Sequence, residues 1–222
     1  MQHAPRMIEI APSVQVPVAF FEGSTTAMTI TREDGLVIYM NGAARDIMLM
    51  DGKPIGWVGM SLLDMQPREF WEERVALLRR LARTEQNGVV RDLFGGEQVI
   101  VHLRLLPHKP GDPLRYFLVL LHKQHGPVTE EQFPDDVVFH DAKVQHLGPL
   151  ALLSPRELEV LALVGEGLSA AQIAERIHRS EDTVNTHKAS LLRKLNCQNA
   201  TQLAIIANRA GLKFDDSERI HG

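Results

Sequence analysis

Residues 154–169 read S-P-R-E-L-E-V-L-A-L-V-G-E-G-L-S, and this stretch begins a run of capped helices that decides the fold of the last third of the chain. Ser154 is a favourable N-cap, Pro155 occupies the first helical position, and Glu157 stands three residues after the cap, which is the pattern of a capping box. Leucines at helical spacing follow, and Gly165 and Gly167 end the helix.

Three further helices follow at short intervals. Ser169 and Gln172 form a second capping pair. The short turn at 178–180 then leads into a longer helix, E-D-T-V-N-T-H-K-A-S-L-L-R-K-L, at 181–195. Asn199 opens a fourth helix that stops at a glycine. Two short helices around a tight turn, with a longer second one, are typical of a helix-turn-helix.

The third helix has one apolar face and one face of mostly short polar side chains. At 100° per residue, Val184, Leu191 and Leu195 fall together and face the core. The opposite side carries Asp182, Asn185, Thr186, Ala189, Ser190 and Arg193. Short side chains let a helix enter the DNA major groove, where Asn pairs with adenine and methyl groups meet the thymine methyl. The alternative is a solvated polar face on an ordinary bundle helix.

From Leu153 to Leu195 the sequence resembles the LuxR-type (NarL/GerE-like) DNA-binding domain of bacterial regulators. The match rests on Leu153–Glu157, Leu161, Gly167, Ser169, Ile173–Glu175, Ser180, Thr183, Val184, His187 and the closing L-R-K-L. The resemblance implies double-stranded DNA as partner, with base contacts from Asn185, Thr186 and Ala189. It implies backbone or flanking contacts from Thr183, Lys188, Ser190, Arg193 and Lys194, with a solvated charge as the alternative for Lys188. Asn185 stands where the family often has Lys or Arg, so we expect an adenine contact there.

The fourth helix carries small and apolar residues at i, i+3, i+4 and i+7, namely Ala200, Leu203, Ala204 and Ala207. In LuxR-type domains this helix commonly pairs two domains across a two-fold axis, so the resemblance implies a homodimer through these residues. The alternative is that Leu203 and its neighbours cover the core of their own domain.

The charge of the DNA-binding segment is close to neutral. The whole chain has a net charge of −4, and residues 149–212 contain seven basic and six acidic residues. Such a domain lacks the strong positive charge that supports tight non-specific binding to phosphates. We therefore expect weak binding by a monomer and a dependence on dimerisation.

Composition excludes several classes of protein. There is no run of about 18 apolar residues that would span a membrane, and the first residues lack a signal-peptide core. The single cysteine, Cys197, cannot form an internal disulfide, which fits a cytoplasmic protein. No phosphate loop, paired catalytic carboxylates or nucleophile elbow is present, so we predict no enzyme. His122, His125, His140 and His146 lack metal-ligand spacing and are interpreted as solvated loop residues, so no metal is predicted.

Residues 18–122 combine strands and helices. V-A-F-F-E (18–22) predicts a short strand, and an Asp-Gly turn between A-M-T-I-T and L-V-I-Y-M predicts a hairpin. Asn41 is predicted to cap a helix, and residues 67–86 are predicted to form a longer amphipathic helix with Trp71, Val75, Leu78 and Ala82 on one face. Alternating residues from 99 to 105 and R-Y-F-L-V-L-L-H predict the returning strands.

This order of elements resembles a PAS sensor domain, on the residues D-G-L-V-I-Y-M-N-G-A-A-R-D-I-M, G-M-S-L-L-D-M and the closing strands. The resemblance implies an α+β domain, an antiparallel sheet with short helices, that places ligands between sheet and helices and often dimerises through its outer sheet face. Methionines adapt to irregular spaces, and four of them, Met28, Met40, Met48 and Met60, are the candidate pocket. Residues 4–101 contain no histidine to serve as an axial ligand, which argues against haem, and the position of the only cysteine excludes a covalent chromophore. No cofactor is identifiable. An apolar small-molecule ligand and a plastic core without ligand both remain open.

The predicted organisation has five parts: an N-terminal extension at 1–17, the PAS-like domain at 18–122, a Pro- and Gly-containing linker at 123–149, the all-α four-helix LuxR-type domain at 150–212, and a tail at 213–222. We interpret the chain as a bacterial transcription regulator whose first domain senses a signal or dimerises and thereby controls the second, with RNA polymerase as a further candidate partner. The alternative is a protein-interaction module in which DNA binding is secondary.

Overall fold

The computed structural model describes residues 7–11, 14–48, 58–65, 67–111 and 113–217. The chain divides into two compact units. The first comprises 1–92, 100–123 and 133–144, and the second comprises 93–99, 124–132 and 145–222. Parts of the predicted extension (1–6 and 12–13) and tail (218–222) lie outside the described residues.

Among the described residues, eight strands and three α-helices precede the helical C-terminal part. The strands are β1 (Met7–Ala11), β2 (Val14–Pro17), β3 (Ala27–Arg32), β4 (Val37–Met40), β5 (Asn87–Phe94), β6 (Glu97–Leu105), β7 (Tyr116–Lys123) and β8 (Val137–Asp141). The helices are α1 (Ala19–Glu22), α2 (Gly42–Ile47) and α3 (Arg68–Thr84). β1 and β2 form a small antiparallel sheet, and the other six strands form one sheet in the order β4-β3-β7-β6-β5-β8.

The predicted hairpin is present as β3 and β4, which pair antiparallel. Its turn depends on Gly35, whose φ of +92° is strained for residues with a side chain. A Cβ on Gly35 would lie 2.7 Å from Cγ2 of Val75, so the turn packs closely on α3. Asp34 accepts a hydrogen bond from Arg32 Nε at 2.8 Å and further fixes the turn.

The two predicted helices of the first half are confirmed. Asn41 caps α2 by accepting a hydrogen bond from the amide of Ala44. The predicted apolar face of α3 is buried, with Trp71, Val75, Leu78 and Ala82 all 5% exposed or less. α2 ends at Ile47, and residues 49–57 lie outside the described residues.

The prediction of a strand at 18–22 is wrong, because residues 19–22 form one helical turn. Val18 and Phe21 are both buried in a cluster with Ile30 and Tyr39. A spacing of three residues puts two side chains on one side of a helical turn, whereas a strand would send them to opposite faces. The helical turn therefore buries both.

No strand was predicted at the residues of β1, β2, β5 and β8. β8 falls within the predicted linker and pairs parallel with β5, from Asn87 opposite Val137 to Arg91 opposite Asp141. The sheet is therefore not purely antiparallel. His140 lies in this strand and His122 in β7, so the interpretation of both as loop residues is corrected.

The second unit contains the four predicted helices, α4 (Pro155–Gly165), α5 (Ala170–Arg176), α6 (Glu181–Lys194) and α7 (Ala200–Arg209). Both predicted capping boxes are formed, at Ser154 with Glu157 and at Ser169 with Gln172. The apolar faces of the four helices meet in one core. Its fully buried residues include Leu161, Ile173, Val184, Leu191 and Leu203. The fold is thus the α+β first half and the helical second half that the sequence predicts.

Candidate nucleic-acid interface

A short turn with a left-handed residue precedes helix α6, and a serine cap begins the helix. His178 adopts a left-handed φ of +53°, and Ser180 then caps the helix by accepting a hydrogen bond from the amide of Thr183 at 3.2 Å. The hydroxyls of Ser180 and Thr183 are 2.9 Å apart, so the Thr183 side chain belongs to the cap. A capped N-terminus of this kind also points backbone amides and the positive helix end outward, where an anion can approach.

The exposed face of α6 carries the three predicted base-contacting residues. Asn185, Thr186 and Ala189 are all exposed, while Val184 and Leu191 are completely buried. The hydroxyl of Thr186 donates to the carbonyl of Asp182 at 2.9 Å. Because that proton is used within the helix, Thr186 offers its methyl group to a partner, as Ala189 does.

The opposite flank of α6 is held by Glu157, which is only 5% exposed. Its Oε1 accepts a hydrogen bond from the hydroxyl of Ser190 at 2.7 Å, and its Oε2 accepts one from Nζ of Lys194 at 2.7 Å. Oε2 also accepts from the backbone amide of Ser154 at 2.8 Å. One carboxylate therefore joins the start of α4 to two successive turns of α6 and fixes the rotation of α6 about its axis.

The protonation of Glu157 follows from these contacts. Burial alone would raise the pKa of this carboxyl, but hydrogen bonds from Lys194, Ser154 and Ser190 outweigh it and lower the pKa to about 2. Glu157 is therefore ionised at neutral pH. The sequence identifies it as a capping residue only, because its partners on α6 are more than 30 positions away.

Ser190 and Lys194 are placed differently from the other predicted DNA contacts. Their polar groups are bonded to Glu157, and Lys194 Nζ also donates to the carbonyl of Leu152 at 2.9 Å. Arg193 is exposed and Lys188 is half-buried. Arg179, directly before the cap of α6, is an exposed cation that sequence reasoning missed; its signal is a basic residue beside the recognition-helix N-cap.

The predicted dimer stripe on α7 needs a correction. Leu203 and Ala207 are buried within their own domain. A Cβ added to Gly165 of α4 would lie 2.7 Å from Cβ of Ala207, so the two helices are in close contact. This is the alternative in which part of the stripe covers the domain core. Ala200 is exposed and Ala204 is half-buried.

A shallow groove runs beside this helix on the outer surface of the second unit. Its lining residues are His125, Gly165, Thr201, Ala204, Ile205, Asn208 and Arg209. Ile205 is 46% exposed, which makes it one of the few large apolar side chains of the described chain that face solvent. Of the four predicted interface residues, Ala204 is the one that borders this groove.

The predicted sensor pocket is also corrected in one position. Thr29 of β3 pairs with Met40 of β4, and residues directly opposite on paired strands share a face. Met28 therefore lies on the other face, where it packs against the cluster of Val18 and its neighbours. Met28 and Met40 cannot line one pocket.

The remaining candidate methionines lie around α2 and the segment after it. Met48 is buried at the C-terminal end of α2, and Met60 is half-buried. On the face that Met40 shares, the buried hydroxyls of Thr29 and Thr31 are 3.3 Å apart and bonded to each other. This pair is a buried polar group on the sheet face that Met40 shares, and sequence reasoning did not single it out.

Within the described residues, no group of three metal-ligating side chains lies close enough to hold a metal ion. Across the same residues, no helix has the length and apolar character needed to cross a membrane.

His146, interpreted from sequence as a solvated loop residue, accepts a hydrogen bond from the amide of Gly95 through Nδ1 at 3.0 Å.

Comparison with known proteins matches two segments of the chain to known families. Residues 151–207 match the family of bacterial regulatory proteins, luxR family, and residues 21–123 match the PAS fold. The transcriptional regulatory protein DegU of Brevibacillus brevis is 34% identical over 82 residues, which cover 37% of this chain and 34% of DegU. LnrK of Bacillus subtilis, also a transcriptional regulatory protein, is 42% identical over 60 residues, 27% of either chain.

These relatives share only part of their length with this chain, about a third of DegU and a quarter of LnrK. Among solved structures, the Vibrio cholerae VqmA dimer in the absence of target DNA aligns over 86% of this chain and 85% of its own, with 16% identity and a TM-score of 0.41. The family of each segment therefore rests on the matches at 21–123 and 151–207. The chain therefore carries a PAS domain followed by a DNA-binding domain of the luxR family of bacterial regulatory proteins.

Proposed function

We propose that this protein is a DNA-binding transcription regulator whose PAS domain responds to a small molecule and controls the C-terminal helix-turn-helix. The observation that carries the proposal is the exposed face of α6, which presents Asn185, Thr186 and Ala189 while a buried carboxylate holds the opposite flank. The matched relatives are transcriptional regulators, which supports a regulatory and not a catalytic role. A regulator of this kind acts in the cytoplasm, where DNA and RNA polymerase are its partners.

In the proposed complex α6 lies in the major groove. Asn185 pairs bidentately with adenine, and the methyl groups of Thr186 and Ala189 contact thymine methyls. Thr183 at the helix cap, together with Arg179, Lys188 and Arg193, contacts the phosphate backbone. We assign Ser190 and Lys194 to holding α6 through Glu157. The Ser190 hydroxyl donates its one proton to that carboxylate, and Lys194 is bonded to both the carboxylate and the carbonyl of Leu152.

Dimerisation is part of the proposal. The near-neutral charge of 149–212 limits the phosphate contribution of one domain, so two linked domains are needed for useful affinity. The groove that includes Ala204 and Ile205 is the surface proposed to meet a second copy, with Ala200 at its helix start. Leu203 and Ala207 support that surface from within.

The test is binding to promoter-sized DNA as a function of salt, followed by fluorescence anisotropy. A regulator should bind its own promoter far more tightly than scrambled DNA, by about a thousandfold or more, and both affinities should fall as salt rises. Equal affinity for the two duplexes at every salt concentration would contradict the proposal.

The second candidate function is a PAS domain that dimerises and holds no ligand. The burial of Met40 and Met48 favours it, because flexible side chains can fill the interior by themselves. Native mass spectrometry of the purified protein separates the two candidates. A retained small molecule supports sensing, and a ligand-free dimer supports the dimerisation module.

A further inference from the structure

The end of the first unit is held in place by groups from two other elements. β8 pairs with β5 as far as Arg91 opposite Asp141, and the amide of Ala142 then donates to the carbonyl of Arg91 at 3.0 Å. The first unit ends at Val144, and the next residue begins the long C-terminal stretch of the second unit. Residues 137–144 are thus the last part of the sensor that the chain passes through before the DNA-binding helices.

Glu73 of α3 binds the residues that follow the backbone pairing of β8. Its Oε1 accepts a hydrogen bond from the amide of Lys143 at 2.9 Å and lies 2.8 Å from Nε2 of His140. Its Oε2 accepts one from the amide of Val144 at 2.8 Å. We call Glu73 with these three partners the clasp. Two backbone amides that could pair with a strand are instead bonded to a helix side chain, so their position depends on α3.

An ion pair between β5 and β8 also holds this segment. Arg91 of β5 is 2% exposed, and its Nε and Nη2 lie 2.8 and 3.1 Å from the two carboxylate oxygens of Asp141 on β8. A buried guanidinium is costly without its carboxylate, so this pair strongly favours the paired position of β8. In the clasp both side chains are partly exposed, 23% for His140 and 17% for Glu73, whereas the Arg91 side chain is 2% exposed.

Helix α3 reaches across the sheet to make this contact. Val75 lies against the β3–β4 turn, and a Cβ on Gly88 of β5 would lie 2.7 Å from Cδ1 of Leu81. The helix therefore packs against both the hairpin and β5. A molecule that enters between α3 and the sheet would change these contacts.

Removal of Glu73 does not leave its neighbour unpaired. Arg74 contacts Glu73 at 3.0 Å, but it is also bonded to Asp92 at 2.6 and 3.2 Å and lies over the ring of Phe70 at 3.6 Å. The fold of the PAS domain can therefore tolerate loss of the clasp, which makes the clasp testable.

We propose that the clasp transmits the state of α3 to the DNA-binding domain: when α3 moves, Glu73 releases residues 143–144 and the chain that leads to α4 loses its fixed starting point. This rests on the proposed function of the second domain. An ordered connection lowers the entropic cost of placing two domains on DNA, so release of the clasp weakens DNA binding.

The test compares Glu73→Ala and the milder Glu73→Gln with Glu72→Gln, in the full chain. Glu72 is the adjacent carboxylate on the same helix, is half-exposed, and forms an ion pair with the exposed Arg68 at 2.7 Å. Hydrogen exchange at Lys143 and Val144 should rise by about tenfold or more in Glu73→Ala, less in Glu73→Gln, and not at all in Glu72→Gln. Affinity for promoter DNA should fall by about fivefold or more in Glu73→Ala, less in Glu73→Gln, and not at all in Glu72→Gln.

His140→Ala is the second variant, in case loss of Glu73 unfolds the first unit. It removes one partner of the clasp from β8 and leaves α3 unchanged, so a smaller rise in exchange with a smaller loss of affinity supports the proposal. Unchanged exchange at 143–144 overturns the clasp, and raised exchange with unchanged or tighter DNA binding overturns its role in transmission. If the wild-type chain binds no promoter DNA, the proposed function fails, and the clasp is then judged by exchange alone.

Discussion

Asn185 is the residue that carries sequence selectivity in the proposed complex. An asparagine that pairs with adenine contributes through two hydrogen bonds in the major groove, so Asn185→Ala should cost about 1–3 kcal/mol on the cognate site. Because Asn185 makes no proposed phosphate contact, binding to random DNA should stay nearly unchanged. Titration of both duplexes by anisotropy measures this, and equal losses on the two would contradict the assignment.

Glu157 gives the C-terminal domain a defined dependence on pH. Its pKa is about 2 in the folded chain and near 4.5 when the chain is unfolded, so between these values the unfolded state binds more protons. The stabilisation is therefore fully present above pH 4.5 and is lost as the pH falls toward 2. Glu157→Gln should cost about 2–3 kcal/mol at pH 7, and this difference from wild type should shrink steadily on acidification.

Urea unfolding followed by far-UV circular dichroism at a series of pH values measures that difference. Glu166→Gln is the matched control, because Glu166 is an exposed carboxylate in the same domain. A constant difference between wild type and Glu157→Gln across the acidic range would show that the carboxylate is not held as described.

At the scale of the element, α7 has one side in the domain core and one side on the groove. Ile205→Glu places a charge at a side chain that is 46% exposed and should disrupt pairing of two copies. DNA affinity should fall by about tenfold or more as the benefit of two linked domains is lost. Ala151→Glu adds the same charge at another exposed site of the domain and serves as control.

Analytical ultracentrifugation and circular dichroism accompany the DNA titration of Ile205→Glu. The expected result is more monomer with unchanged helix content. Dimers that persist at the same concentration, together with unchanged DNA affinity, would remove α7 from the interface.

The elements that the sequence predicts well are those whose signals are local. Ser154, Ser169 and Asn41 each accept a hydrogen bond from the amide three residues ahead, so caps can be found without knowledge of the rest of the fold. The exposed face of α6 follows from its helical period. The role of Glu157 could not be found in this way, because its partners are brought to it only by packing of α6 on α4.

The missed elements depend on contacts between distant parts of the chain. β8 pairs with a strand about 50 residues earlier, and its own residues are only partly buried, so alternation of apolar residues gives little signal. The turn at 19–22 has the aromatic composition of a strand, and only the buried cluster around Ile30 decides for a helix. Likewise, the sequence shows small residues along one side of α7, but it does not show whether they pack against α4 or against another chain.

For the molecule as a whole, sensing requires that occupancy of the PAS domain changes DNA binding. A ligand at 100 times its Kd stabilises the folded protein by about 2.7 kcal/mol, which a thermal-shift screen detects. Met48→Trp fills space at a buried position of α2 and should either mimic or block the ligand, with a change in DNA affinity. If no compound shifts the melting temperature and Met48→Trp leaves DNA affinity unchanged, the dimerisation module is the better description.

The parallel pairing of β8 also bears on how the first half behaves when it is separated from the second. A fragment that ends at residue 122, the predicted boundary, lacks Asp141 and leaves the backbone of β5 at an open sheet edge beside the buried side chain of Arg91. An uncovered edge of this kind is a template for pairing with strands of other molecules, and hence for aggregation. A fragment that ends at residue 144 keeps this edge covered, so it is the version of the isolated sensor that should remain monodisperse during purification.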